Sequence, residues 1–405
     1  MRGSYFEKLI KYIRNVYDID KVFNDLTDTR VYPKYKTKQI ATILLIGFLL
    51  RIESFNDLKL MLGEKRFSKL FPKGTDIPKI DTFRDTSKTM CVELLQLTHH
   101  SFIKMMRRNK VFDNGTIAGL MVCAIDGTTL FGSYNKHCDS CLTTTIKGRT
   151  FYYHSCTVMS SIGNGPKIVF DFEMQNPAID SASKDEGELN ASKRLLKRVA
   201  GSHKGLVDIV VYDALACNSI WINHCRNLGV DLIVRVKENN VSSVKQVKKK
   251  TNKQEPAEVW MNKKGFERVE VFESTFRMDH VDRPLRFVKF AMKYPSGKHS
   301  QIMIVTTCMD LSLAVLLKMI RARWNIENSI FNNLKTNCFL DHCFVHGENA
   351  VEVLLYLQFM ASNFMQLFMH RRIHQSMKTQ KQLVKLLLEG LHDMKRSPER
   401  MFSSA

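Results

Sequence analysis

Three carboxylates in this chain stand where an ordinary fold gains little from them. Glu327 falls within the run IRARWNIENSIFNNLK. At about 100° per residue, a helix through that run places Ile320 and Leu334 within about 20° of Glu327, on an apolar stripe. Facing the interior, an ionised glutamate there costs several kcal/mol unless something cationic meets it. Arg323, one turn earlier, is one candidate partner and a metal ion is another. Asp126 follows the apolar run VCAI and Asp213 follows VVY, so two strand-like segments each end in a carboxylate. Ligands of open α/β sheets gather at strand ends, and neighbouring strands would bring these two acids together, with Glu327 as a third. Such a set, with few fixed nitrogen ligands, suits a hard cation such as Mg2+ or Mn2+. Two ions about 4 Å apart can activate an attacking oxygen and stabilise the leaving one in an in-line phosphoryl displacement.

A second constellation is softer. His137, Cys138 and Cys141 form a His-Cys-x-x-Cys cluster after the first acid, and Cys338, His342, Cys343 and His346 follow the third. Cys138 and Cys141 could be half of a structural zinc site. The chain has no second Cys-x-x-Cys, so two buried thiols are the plainer reading.

The elements that must hold these residues are legible in outline. Segments 4 to 17, 37 to 62 and 91 to 108 carry helical periodicity, and a further turn and helix begin near Asp81, which reads as an N-cap. From about 117 the period changes. GLMVCAID, FYYHSCTVMSSI and KIVFDFEM read as three strands; KDEGELNASKRLLKRVAG is a helix, LVDIVVYD a strand, ALACNSIWINHCRNLG a helix and VDLIVRVKEN a strand. That order fits a mixed sheet with two parallel additions made through right-handed crossover helices. After the basic run VKQVKKKTNK, for which a solvated loop is the plain alternative, FERVEVFESTFRM, LRFVKFAMKY and QIMIVTTCM read as strands. The Glu327 helix follows, then the long amphipathic segment VEVLLYLQFMASNFMQLFMHRRI and a basic helical tail. The organisation expected is 1–115, a helical N-terminal domain; 116–239, the first part of an α/β core; 240–308, a β-rich stretch; 309–372, the last part of the core; and 373–405, the tail.

Charge narrows the partners. The chain has 405 residues, with 61 Lys+Arg against 40 Asp+Glu, a formal net charge of +21. A basic excess spread along a chain suits a polyanion whose counterions are released on binding, so nucleic acid is the leading partner. Ten cysteines in a chain this long do not make a secreted disulfide framework, which points to reduced thiols and a cytoplasmic location. The longest strongly apolar run, IATILLIGFLL, is too short to span a bilayer.

Ala124-Ile-Asp-Gly-Thr-Thr, Val211-Tyr-Asp-Ala and Arg323-Trp-Asn-Ile-Glu-Asn, with Glu188-Leu-Asn-Ala-Ser-Lys-Arg and Asp341-His-Cys, resemble the DDE transposases of bacterial insertion sequences. The resemblance extends over residues 117 to 370. It implies a ribonuclease H-like catalytic core, α/β with a mixed sheet flanked by helices, and a β-rich insertion that touches DNA near the cleavage site. It further implies Asp126, Asp213 and Glu327 as catalytic metal ligands, two Mg2+ ions (Mn2+ as substitute), terminal inverted repeats and target DNA as partners, a homodimer in a synaptic complex, and a nucleoid-associated bacterial protein. Arg323 and Glu327 match the Tyr, Arg, Glu, Lys signature of related cut-and-paste enzymes, whereas Ile320 replaces the tyrosine and Leu334 the lysine. Lys335 comes one residue late, about 80° from Glu327 on a regular helix. Arg323 would orient Glu327 or a phosphate, with Lys335 and Lys237 as further DNA contacts. A catalytically silent DNA-binding protein of the same fold, a metal-dependent nuclease without strand transfer, and a purely structural Arg323–Glu327 ion pair are the other readings.

Overall fold

The computed structural model describes residues 4–63, 76–178, 185–237, 241–261, 267–373 and 379–392. Its strands are β1 Val122–Ser133, β2 Leu142–Ile146, β3 Arg149–Ser161, β4 Val169–Met174, β5 Ile209–Tyr212, β6 Asp231–Arg235, β7 Glu258–Met261, β8 Arg268–Phe276, β9 Leu285–Lys293 and β10 His299–Thr306. All join one 10-stranded sheet in the order β2-β3-β1-β5-β6-β10-β9-β8-β7, with β4 also on β3. β1, β5 and β6 are parallel. IVVY of β5 is buried at every position, as a strand covered on both faces must be. Helices Glu188–Ser202 and Ser219–Asn227 make the connections into β5 and β6. This is the ribonuclease H-like mixed sheet, flanked by helices.

Three departures from the sequence reading have physical causes. β1 does not end at Asp126 but runs on to Ser133, paired with β3. What stops is its pairing with β5, whose last partners are Ala124 and Val211. β2, absent from the reading, forms a hairpin with β3 through Lys147 and Gly148, both at positive φ, the geometry a two-residue turn demands. The basic run after β6 folds as helix Ser242–Thr251, anchored by buried Val244 and Val247, and is not a solvated loop. The strands that follow extend the same sheet, because β10 pairs antiparallel with β6 through Ile304, Val305 and Thr306.

The first part of the chain is helical. Helix Tyr5–Tyr17 opens on a reciprocal cap between Ser4 and Glu7. Segment 37 to 62 is two helices, Thr37–Leu49 and Phe55–Gly63, parted at Arg51, whose φ is 63°. Helix Ile80–Thr89 is capped at Lys79, so Asp81 lies in its first turn and is not the cap. Helices Tyr5–Tyr17, Thr37–Leu49, Ile80–Thr89 and Val92–Arg108 pack around the long buried helix Glu348–Phe368. One buried polar cluster fastens this layer to the sheet. Asp171 of β4, 0% exposed, accepts from His100 at 3.0 Å, from Arg198 Nε at 2.6 Å and from the Tyr356 hydroxyl at 3.1 Å. His100 in turn shares a 2.7 Å hydrogen bond with His203. Of the expected tail, Gln380–His392 is helical and the remainder lies outside the described residues. Among the described residues, no helix is long and apolar enough to cross a membrane.

Candidate active site

The register of β1 against β5 brings Asp126 and Asp213 together. Ala124 pairs with Val211 across a parallel ladder, so each aspartate lies two residues beyond that pair on adjacent strands, which run about 4.8 Å apart. Asp213 caps the short turn Ala214–Ala216, its Oδ1 accepting from the Leu215 N–H at 2.8 Å. Its Oδ2 is 3.8 Å from the exposed Lys237 Nζ, just past β6.

Glu327 reaches the same place from another element. Helix Leu313–Ala322 does not continue as a regular helix; Ile326–Phe331 forms a π turn before Asn332–Cys338 resumes α geometry. The uniform helical wheel is therefore wrong here. Ile320 and Leu334 are buried, while the Glu327 side chain is 46% exposed. The wide turn adds one residue, so Lys335, eight residues on, takes the phase that a seventh residue has in a regular helix, within about 20° of Glu327. The late lysine of the signature is thus compensated by the backbone.

Arg323 joins the parts. Its guanidinium donates to Glu327 Oε1 at 2.9 Å and to Asp126 Oδ2 at 3.4 Å, and Arg323 itself is 6% exposed. The ion pair foreseen between Arg323 and Glu327 exists, but it is half of a bridge between two acids.

A fourth carboxylate, Glu188, belongs to the site and was not singled out as a site residue in the sequence. It opens helix Glu188–Ser202 and accepts from the Tyr212 hydroxyl at 2.6 Å. A Cβ on Gly127 would stand 2.5 Å from Glu188 Oε2, so the glycine after Asp126 leaves room for that carboxylate. The signal available in sequence was Gly127 directly after an acid; its partner lies 61 residues on and only the fold pairs them. Burial pushes Asp126 up to about 7; Arg323 opposes the shift, and Glu188, Glu327 and Asp213 add to it. Burial likewise raises Glu188.

Four carboxylates with one bridging guanidinium fit a divalent oxygen-seeking cation. Burial is the main reason that Asp126 is raised, and the neighbouring acids add to it, so a cation placed among them would favour the ionised form. The Cys-x-x-Cys pair is elsewhere. Cys138 and Cys141 sit between β1 and β2 beside His154.

Acids where the parallel β1/β5 pairing stops, with a further acid on a helix after the sheet, are an arrangement compatible with a ribonuclease H-like core. Residues 168–364 match the family model described as the transposase DDE domain. The match supports a DDE-type transposase, a family that implies metal-dependent phosphoryl transfer on DNA. The match spans Glu188, Asp213, Arg323, Glu327 and Lys335, whereas Asp126 precedes it. No curated protein matches the chain.

Proposed function

We propose that this transposase binds the terminal inverted repeats of an insertion sequence and catalyses Mg2+-dependent cleavage and strand transfer, with Asp126, Asp213 and Glu327 as the metal ligands. The observation that carries this reading is the convergence of three elements on one spot: the β1/β5 register beneath Asp126 and Asp213, and the Arg323 bridge from Asp126 to Glu327. Bound divalent ions supply activation of the attacking oxygen and neutralisation of the leaving one; Mn2+ would substitute for Mg2+. The chain's own residues do the rest. Arg323 holds two ligands in place, Glu188 and Tyr212 brace the strand end beside Asp126, and Lys237 and Lys335 meet backbone phosphates. Arg323 is then a DNA contact only once the acids have other cationic partners.

The basic stretch 1–115 would grip the element end, while 116–239 and 309–372 would supply the core, 240–308 would lie along DNA near the cut and the basic 373–405 would add to the DNA contacts. Two copies would pair two ends in a synaptic complex. The test is cleavage and strand transfer on flanking end DNA with Mg2+, comparing the wild type with Asp126→Asn, Asp213→Asn and Glu327→Gln. Loss of cleavage and joining in all three supports the assignment, and full activity in any one removes that residue from the set. Cleavage without joined products in the wild type would make the enzyme a nuclease.

A further inference from the structure

We propose that Cys138, Cys141, His154 and His346 form a structural zinc site that pins the turn after the strand of Asp126 to the loop after the helix of Glu327. The four residues come from three places. Cys138 and Cys141 lie in the turn between β1 and β2, His154 is in β3, and His346 lies in the connection between Cys338 and Glu348. One ligand atom from each can be chosen so that all lie within 4.8 Å of one another.

The spacing is that of a tetrahedron. With Zn–S near 2.3 Å and Zn–N near 2.05 Å, tetrahedral angles set S···S at about 3.8 Å and S···N at about 3.6 Å. Cys138 Sγ and Cys141 Sγ are 3.7 Å apart, and His154 Nε2 is 3.3 Å from the first and 3.4 Å from the second. A disulfide would need about 2.05 Å. His346 Nδ1 is buried without a hydrogen-bond partner among the described residues. Phe131 packs against both imidazoles, with ring centroids 5.2 Å from His154 and 5.6 Å from His346. Cys141 and His154 are 6% and 1% exposed, so the donors converge in a shielded place.

Of the other soft residues, Cys343 interacts electrostatically with Cys138 and Cys141 but lies outside the four-residue group, and three more have other neighbours. His137 stacks on Tyr152 at 4.4 Å, His342 packs edge-on against Phe344, and Cys338 is buried near Arg51. Binding one Zn2+ converts two thiols to thiolates and releases two protons, so the site tightens as pH rises. Because Cys138 and Cys141 follow the strand of Asp126 and His346 follows the helix of Glu327, the ion would act as a clamp on the segments that leave the acid site, without touching it.

The full-length protein, prepared under reducing conditions without chelator, should carry one zinc per chain by elemental analysis. Replacing zinc by Co2+ in the wild type should give intense visible ligand-field bands and sulfur-to-cobalt charge transfer, the signature of a tetrahedral site with two thiolates. Cys141→Ser and His346→Ala should each lose the zinc or bind it at least about 10-fold more weakly in competition with a chromophoric chelator. The cobalt measurement needs no variant, so a misfolded substitution does not end the test. An octahedral cobalt spectrum, wild-type protein that takes up no zinc from solution, or a Cys138–Cys141 disulfide under reducing conditions would overturn the proposal.

Discussion

Asp126 sits in an environment that disfavours its ionised form. Its folded pKa of about 7 lies above the ordinary carboxylate value, chiefly because of burial. The folded state therefore holds this proton more tightly than the unfolded chain does, and the contribution of Asp126 to stability falls as pH rises from about 4 to about 7. In the metal-free protein at pH 8, Asp126→Asn should raise the calorimetric Tm by a few degrees; a lowered Tm would show that the carboxylate is stabilising there. Added Mg2+ should stabilise the wild type and not this variant. The sequence exposed Asp126, Asp213 and Glu327 because each interrupts an apolar pattern. Glu188 lies in the first turn of a helix, where an acid is ordinary, so nothing local marked it. His154 was hidden for a similar reason, and His346 stood out only as one of several soft residues after Glu327: they join Cys138 and Cys141 only through β3 and a loop far along the chain.

At the scale of elements, the turn at Ile326–Phe331 carries the most consequence. Helical-wheel reasoning assumes one rotation per residue, and a single wide turn breaks that assumption for everything after it. The strand order was readable because apolar runs and alternation survive in any register, whereas the extent of β1 was not, since its residues past Asp126 are half polar. With Lys335 returned to the face of Glu327, Lys335→Ala should weaken DNA binding without abolishing the fold. The slope of log K against log salt should fall by about 1, the share of one phosphate contact. An unchanged slope, measured by titration across salt concentrations, would remove Lys335 from the interface. Lys237→Ala provides the parallel case beside Asp213.

Across the whole molecule, the Asp171 cluster ties the N-terminal helices, the sheet and the long helix Glu348–Phe368 together. Burial pushes Asp171 up, but the hydrogen bond from His100 and the charge of Arg198 more than offset it and hold it at about 2. Asp171→Ala, which leaves Arg198 and both histidines facing a gap, should cost about 3–5 kcal/mol in denaturant unfolding. Burial also lowers His99 to about 4 and His203 to about 3. Both fold as neutral rings, so their contribution is complete above about pH 6.5 and is lost as pH falls toward those values. In the Asp126→Asn background, which removes the opposing carboxyl titration, thermal scans should show Tm dropping between pH 6.5 and 4, and a flat profile there would contradict the buried-histidine account. The molecule's central property remains the acid site set into this frame, and Asp126 is its most exposed premise, since it alone of the three proposed ligands lies outside the transposase DDE match. The most direct test is single-turnover cleavage of element-end DNA with Mg2+ by the wild type and Asp126→Asn, with DNA affinity measured on the same samples. We expect affinity to be retained and cleavage to fall on the order of 10²–10³-fold, as when one preorganised electrostatic group is removed from an active site; cleavage by Asp126→Asn at the wild-type rate would contradict the account.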